Sequence, residues 1–341
     1  MAQLRRDPIT GRWVIIGADK QLKPEDFEVE AHVRGKGVCP FCYGNEKMTP
    51  PEIIAHREGN SQPNTPGWLT RVVSNKFPAL QIEGELNKRG IGLYDMTNGV
   101  GAHEVIIENP DHNREIADLQ DHDVERIIWT YRNRSIDLRG DRRFKYILIF
   151  KNYGKSAGAS LEHPHSQLIA LPIVPKRVLE ELHGSQRYFE YKERCVFCDM
   201  IKQELQDGTR IISENKHFLA FAPFVSCFPF EFWIIPKEHE SDFSYIQREE
   251  VLNFAHILRE SLLRMKIVMR DPSYNFIIHT SPIEDMERED YHWHLEFMPK
   301  LTRIAGFEWG SGFYINRMRP SVAAKYLREA KINEAQTYGT K

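Results

Sequence analysis

Cysteine and histidine recur in this chain at spacings that suit metal binding. Cys39-Pro-Phe-Cys42 and Cys195-Val-Phe-Cys198 each offer two thiols. Each pair is followed by a lone histidine, His112 or His239, and then by a His-x-His triplet, His163-Pro164-His165 or His292-Trp293-His294. A Cys-x-x-Cys turn can present two thiolates to one ion, and zinc takes Cys and His ligands in a tetrahedron. Two Cys2His2 zinc sites are therefore expected: Cys39, Cys42, His112 and His163 in the first half, and Cys195, Cys198, His239 and His292 in the second. Buried or redox-active thiols with unrelated histidines would leave the matched order unexplained. The fifth cysteine, Cys227 in VSCFPF, reads as a core thiol.

Phosphoryl chemistry points to FKNYGKSAGASLEHPHSQLIALP at 150–172. A strand end runs into a loop of small residues, among them Gly154, Ser156, Gly158, Ala159 and Ser160. Such a loop lets backbone N–H groups approach phosphate oxygens. HPHSQLIALP then alternates like a strand, so His163, His165 and Gln167 share a face. With His163 assigned to the metal, His165 is the imidazole left to attack phosphorus, since its neutral form is nucleophilic near pH 7. Gln167 can donate an amide hydrogen to phosphoryl oxygens as charge builds. Ser160 joins these two as a third catalytic candidate. A glutamine is a poor general acid, which favours transfer to a bound acceptor over hydrolysis. The HPHSQ segment itself argues against a zinc-stabilised binding protein without chemistry.

The elements that must position these residues are repeated. Both halves read cysteine pair, strand with Asn-Lys, lone His, helix, strand, His-x-His. His112 to His163 spans 51 residues and His239 to His292 spans 53, whereas Cys42 to His112 spans 70 and Cys198 to His239 only 41. The first half thus carries an insertion of about 29 residues, expected in the polar, Pro-rich stretch 56–68. Val124, Ile127, Ile128 and Tyr131 mark one helix, and Val251, Phe254, Ala255, Leu258 and Leu262 mark its counterpart. YILIF, YNFIIH, FEFWIIP and HLEFMP are β-branched and aromatic, hence strands. The class is α+β, an antiparallel sheet with helices, with domains at 1–180 and 181–341. The segment 174–194 bridges the halves, and SVAAKYLREAKINEAQ reads as a surface helix fraying into a tail.

Bulk properties narrow the function. Hydrophobic residues at 41% supply a core, and the net charge of −2 lacks the basic excess of a non-specific nucleic-acid binder. No stretch approaches the roughly 18–20 apolar residues of a membrane helix. MAQLRRDPITGRWVII lacks the pattern of a signal peptide, and paired cysteines without one favour metal over disulfides. A cytoplasmic protein is expected.

In RRDPITGRWVII, CPFC, RVVSNKFPAL, HEVIIENPDH, FKNYG, GAS, HPHSQ, HWHLEFMP and GFEWGSGFYIN the chain resembles the transferase branch of the histidine-triad superfamily. The family is that of galactose-1-phosphate uridylyltransferase, with plant-type ADP-glucose phosphorylase closely similar. The resemblance runs nearly end to end and implies two tandem histidine-triad-like units, a homodimer whose active site takes residues from the partner, and a ping-pong reaction. His165 would attack the α-phosphorus of a nucleotide sugar and expel a sugar 1-phosphate. By the same resemblance Asn75 and Asn152 contact the nucleotide, Gly158, Ala159 and Ser160 form the phosphate loop, and Phe307 and Glu308 contact the hexose. Hexose-1-phosphate uridylyltransferase is the leading reading. ADP-glucose phosphorylase, or a nucleotide-sugar hydrolase, is the alternative. Many uridylyltransferases carry paired arginines after WVII, where this chain has GADKQLKP, with Lys20 and Lys23 at those positions. His294 takes the place of His165 in the second half, but Glu296 replaces the glutamine and no Gly/Ser loop precedes it. That half reads as non-catalytic.

Overall fold

The computed structural model describes residues 1–17, 22–32 and 37–332. It opens with the antiparallel pair β1 (Gln3–Arg6) and β2 (Trp13–Ile16). The first half continues with β3 (Glu52–Arg57), β4 (Trp68–Ser74), an exposed hairpin of β5 (Arg89–Ile91) and β6 (Tyr94–Met96), β7 (Ala102–Ile107), α1 (Asp121–Leu138), β8 (Tyr146–Tyr153) and β9 (His165–Leu171). The bridging segment is α2 (Lys176–Lys192). The second half supplies α3 (Val196–Asp207), β10 (Ile211–Glu214), β11 (Phe218–Phe221), β12 (Phe232–Pro236), α4 (Arg248–Met269), β13 (Tyr274–His279) and β14 (His294–Pro299). α5 (Gly306–Ser311), β15 (Tyr314–Asn316) and α6 (Pro320–Arg328) follow.

Ten strands form one antiparallel sheet in the order β10-β11-β12-β14-β13-β8-β9-β7-β4-β3. The order is a palindrome of the two halves about the β8–β13 pair, so β9 answers β14, β7 answers β12 and β4 answers β11. The expected α+β class, with two tandem units and an antiparallel sheet, is the one observed. The repeat differs from the sequence reading in two respects. Asn75 follows β4 and Asn215 follows β10, so the two Asn-Lys pairs stand one strand out of step. The insertion lies only partly in 56–68. Ser74 and Ala102 are 28 positions apart against 11 for Phe221 and Phe232, while Arg57 to Trp68 spans 11 against 4 for Glu214 to Phe218. The larger share is the segment carrying β5 and β6, whose polar and turn residues gave no repeat to align.

One face of the sheet is covered by α1 and α4, whose apolar stripes were legible from their spacing. Val124, Ile127, Ile128 and Tyr131 of α1 and Val251, Phe254 and Ala255 of α4 are fully buried in one core. Burying each large apolar side chain contributes about 1.5–3 kcal/mol. Both helices begin alike. The Asp123 carboxylate accepts from Gln120 N–H at 3.2 Å and that of Glu250 from Gln247 N–H at 2.7 Å, satisfying a free donor at each terminus. The other face is covered differently in the two halves. α2 and α3 seal the second half with Val178, Leu182, Val196 and Phe197 against Trp233 and Ile235. Among the described residues the first half has a smaller cover there, the cysteine turn with Phe41 in one cluster with Val105 and Ile107, and Leu161 packed against it. Among the described residues no helix is long and apolar enough to cross a membrane.

Candidate active site and metal centres

Each predicted metal set comes together. The ligand atoms of Cys39, Cys42, His112 and His163 lie within 4.8 Å of one another, as do those of Cys195, Cys198, His239 and His292. Nε2 of His163 lies 2.8 Å from Asn109 O, that of His239 2.9 Å from Arg288 O, and that of His292 2.9 Å from Pro236 O. A carbonyl only accepts, so in all three Nε2 carries the proton and Nδ1 keeps its lone pair. Those lone pairs face the thiols: Cys42 Sγ is 3.5 Å from His163 Nδ1, and Cys198 Sγ is 3.4 Å from His239 Nδ1 and 3.8 Å from His292 Nδ1, while His112 also turns its Nδ1 to Cys42 Sγ at 3.4 Å. That is the tautomer a metal ligand needs, fixed by an outer hydrogen bond. Both sets fit a tetrahedral metal ion such as zinc.

His165 opens β9, and His163 lies just before it. The His165 Nδ1–H donates to His163 O at 2.8 Å, leaving Nε2 with the free lone pair. Phe41 packs edge-on against the His165 ring, with centroids 5.4 Å apart. Burial keeps this imidazole below the ordinary histidine pKa, and the Lys151 ammonium pushes the same way, so the ring is neutral at pH 7. His165 lines a cavity of about 500 Å³ together with Asn152, Ala159, Ser160 and Lys151. The loop enters that cavity through Gly154 at φ 81°, where a Cβ would lie 2.0 Å from Ser273 Oγ. Glycine is the residue that fits there.

His294 has the same strand position and the same bond, Nδ1 to His292 O at 3.1 Å, yet it has no free space. Its ring is fully buried, stacked between Trp233 at 4.5 Å and His279 at 4.8 Å. Glu296, at the position answering Gln167, lies 3.3 Å from His279 Nε2, and Glu181 lies 3.1 Å from His279 Nδ1. The difference between the halves follows from the α2–α3 cover.

Two groups around His165 escaped the sequence reading. Beneath it, Lys151 is held by Glu108 at 2.7 Å and Glu115 at 3.1 Å, all three buried, and its ammonium stands 3.5 Å from His165 O. Ser166 bonds Glu108 and Tyr131 on the helix side. Beside it, His103 Nε2 is 2.8 Å from Gln167 Oε1, and Asn275 Nδ2 is 2.7 Å from Asn152 Oδ1. Asn275 comes from the second half and stands directly opposite Asn152 across the β8–β13 pair. Lone charged or amide residues on strands carry no spacing signal, and pairing across the halves was not legible before the sheet order was known.

Residues 2–175 match the model of the galactose-1-phosphate uridyl transferase N-terminal domain, and residues 181–312 match that of its C-terminal domain. The chain belongs to the galactose-1-phosphate uridyl transferase family. Members of this family are transferases. Among its relatives, ADP-glucose phosphorylase of Arabidopsis thaliana is 36% identical over 97% of this chain and 93% of that protein. Galactose-1-phosphate uridylyltransferase of Thermotoga maritima is 30% identical over 97% and 99%. A crystal structure of the Arabidopsis thaliana ADP-glucose phosphorylase with bound ADP-glucose superposes with a TM-score of 0.81 at 35% identity, covering 97% of this chain and 100% of that one.

Of the remaining residues expected for a uridyl transferase family member, Asn75 and Gln167 both adjoin His103, and Gly158 adopts φ 88° in the loop. Phe307 and Glu308 lie on α5 and do not line the His165 cavity of their own chain. Lys23 directly precedes the short turn Pro24–Asp26, while Lys20 lies outside the described residues. Cys227 sits beside Arg12 at 3.6 Å. Burial drives its thiol pKa well up, and the partly buried side chain packs against the cluster of Val14, Ile16 and Val225.

Proposed function

We propose that this chain is a nucleotidyltransferase that works through a covalent nucleotidyl group on His165 Nε2, and that its principal reaction moves UMP between glucose 1-phosphate and galactose 1-phosphate. The observation that carries the reading is His165 itself: a neutral ring, its Nδ1–H tied to His163 O and its Nε2 lone pair free beside a cavity. In the first half-reaction an Nε2–P bond forms and the bond from the α-phosphorus to the leaving sugar 1-phosphate oxygen breaks. In the second, an acceptor phosphate oxygen attacks phosphorus and the N–P bond breaks. The Nδ1–H···O=C bond strengthens as the ring gains positive charge. Gln167, Asn75 and Asn152 donate amide N–H groups to phosphate or nucleotide oxygens, and backbone N–H groups of Gly158, Ala159 and Ser160 surround the phosphates.

The active form in this reading is a cytoplasmic homodimer with a catalytic domain at 1–180, a second domain at 181–341, and zinc at both Cys2His2 sets. Phe307 serves the partner's cavity together with Glu308. The exposed apolar side chains Ile304, Phe307, Trp309 and Ile315 are consistent with a covering second copy. A second reading, ADP-glucose phosphorylase, is favoured by the identity of 36% to the Arabidopsis thaliana enzyme. It keeps every chain residue in the same role and replaces uracil by adenine and the sugar phosphate acceptor by inorganic phosphate.

The deciding experiment incubates the protein separately with UDP-glucose and ADP-glucose and weighs the intact chain. A uridylyl adduct supports the first reading and an adenylyl adduct the second. No adduct with either overturns the covalent mechanism.

Metal loss tests the two sets. Cys39→Ser or His112→Ala is expected to halve the zinc content and lower the Tm, because a closed four-ligand site contributes folding energy. Cys195→Ser and His239→Ala also lose zinc but perturb turnover less, since only the first set contains His163, whose carbonyl orients His165. Full zinc and wild-type Tm in Cys39→Ser would remove the first site.

A further inference from the structure

Three side-chain amides, Asn152 at the His165 cavity, Gln167 on the His165 strand and Asn75 beside His103, each have the carbonyl oxygen already engaged. Which end of an amide faces a ligand is ordinarily ambiguous, but here groups that can act in only one sense decide it. The Phe77 backbone N–H donates to Asn75 Oδ1 at 2.9 Å. Asn275 Nδ2 lies 2.9 Å from Ala157 O, which only accepts, so Nδ2 is a donor, and the same group reaches Asn152 Oδ1 at 2.7 Å. The Ala79 backbone N–H donates to His103 Nδ1 at 3.1 Å. The neutral His103 ring therefore carries its proton on Nε2 and donates it to Gln167 Oε1 at 2.8 Å. The 3.1 Å approach of Asn75 Nδ2 to His103 Nε2 then brings two donors together and forms no bond. With their oxygens so held, Asn75, Asn152 and Gln167 offer N–H groups alone to a ligand, an arrangement that suits the oxygens of a phosphoryl group.

We propose that His103 is a positioning residue that acts through Gln167, holding its amide with the NH2 toward the phosphoryl oxygens, and that Asn275 does the same for Asn152. The inference rests on the reading of Gln167 as a phosphoryl donor. Without His103 nothing fixes the amide, which can aim an oxygen lone pair at the anion, and the preorganisation supplied by the His103 hydrogen bond is lost. The cost falls on the step in which charge builds, so kcat drops more than KM rises.

The test is a double-mutant cycle read as glucose 1-phosphate release from UDP-glucose and from ADP-glucose, with Tm as the folding control. Gln167→Ala slows turnover by about 10²–10³, as for loss of one preorganised donor. His103→Leu slows it by about tenfold or more, chiefly in kcat, and adds nothing further in the Gln167→Ala background. His103→Asn keeps an acceptor for Ala79 N–H but has no donor reaching Gln167, so it is as slow as His103→Leu even if the leucine variant folds poorly. His103→Gln restores a donor at the end of the side chain and recovers most of the rate. Equal slowing by His103→Leu with and without Gln167 overturns the proposal, as does a normal rate in His103→Asn. A normal rate in Gln167→Ala removes both the proposal and the role of Gln167, while the His165 adduct stands or falls on its own mass measurement.

Discussion

His165→Gly is expected to abolish turnover, by at least about 10⁵-fold, while zinc content and Tm stay near those of the unmodified chain. The size follows from chemistry. A covalent route needs the nucleophile, and the other two cavity histidines are engaged: His163 Nδ1 faces Cys42 at 3.5 Å with its Nε2 bonded to Asn109 O, and His32 Nε2 is bonded to Asp271 O at 2.9 Å. The sparing of the fold follows from position. His165 belongs to neither metal set. Its side chain contacts Phe41 at the cavity rim and supplies one hydrogen bond, to His163 O. The vacated ring space has the shape of imidazole, so added imidazole, or a nucleoside phosphorimidazolide as donor, restores part of the activity. In the unmodified chain the trapped adduct is a phosphoramidate, labile to acid and stable to base, and peptide mapping assigns it to His165. An adduct on Ser160 or His294, or undiminished turnover in His165→Gly, overturns the mechanism.

What was legible in the sequence was whatever had a period or a repeat. The stripes of α1 and α4 fell at helical spacing, and their members are buried. The two Cys-Cys-His-His clusters were found because the same order occurs twice and because few residue types bind zinc. His165 stood out as the histidine left over from that assignment. The register of the halves was not legible, because polar turns around β5 and β6 obscure the alignment and the Asn-Lys pairs invited a false one. Nor were His103, Asn275, Lys151, Glu108 or Glu115. All but Glu115, which precedes the short turn Ile116–Asp118, sit on or next to a strand whose hydrophobic alternation gives no sign that a polar side chain there has a buried partner. Their partners lie up to 123 positions away, as for Asn152 and Asn275, and only the sheet order brings them together. The contrast between His165 and His294 was read from a missing loop and glutamine. Its physical cause, the α2–α3 cover, involved segments that sequence alone assigned only to a bridge and a cysteine pair.

Lys151→Met is expected to destabilise the chain by about 3–5 kcal/mol at pH 8, the usual result of removing one partner from a buried ion pair. Lys151, Glu108 and Glu115 are all nearly inaccessible to solvent, so water cannot take over the lost charge. Burial lowers the Lys151 pKa, but Glu108 and Glu115 outweigh it and hold the ammonium above its ordinary value. Burial, reinforced by Glu108 and opposed by Lys151, raises the Glu115 carboxyl to about 7. Its folded pKa lies above its unfolded one, so the stability it contributes is complete below about pH 4.5 and is lost as the pH rises through about 7. Replacing the ammonium by a thioether moves the upper limit of that window higher, because two carboxylates then face each other without a cation. The Tm deficit of Lys151→Met should accordingly shrink as the pH falls from about 8 to about 5.5, where protonation relieves the unpaired charge. Adding Glu108→Gln should recover part of the loss at pH 8, since one buried charge is removed with its partner. The same network touches the nucleophile's strand through His165 O and through Ser166, so turnover of the folded fraction should fall as well. A Lys151→Met chain within about 1 kcal/mol of the unmodified one at pH 8, with a deficit independent of pH, would show that these three charges do not support the floor of the site.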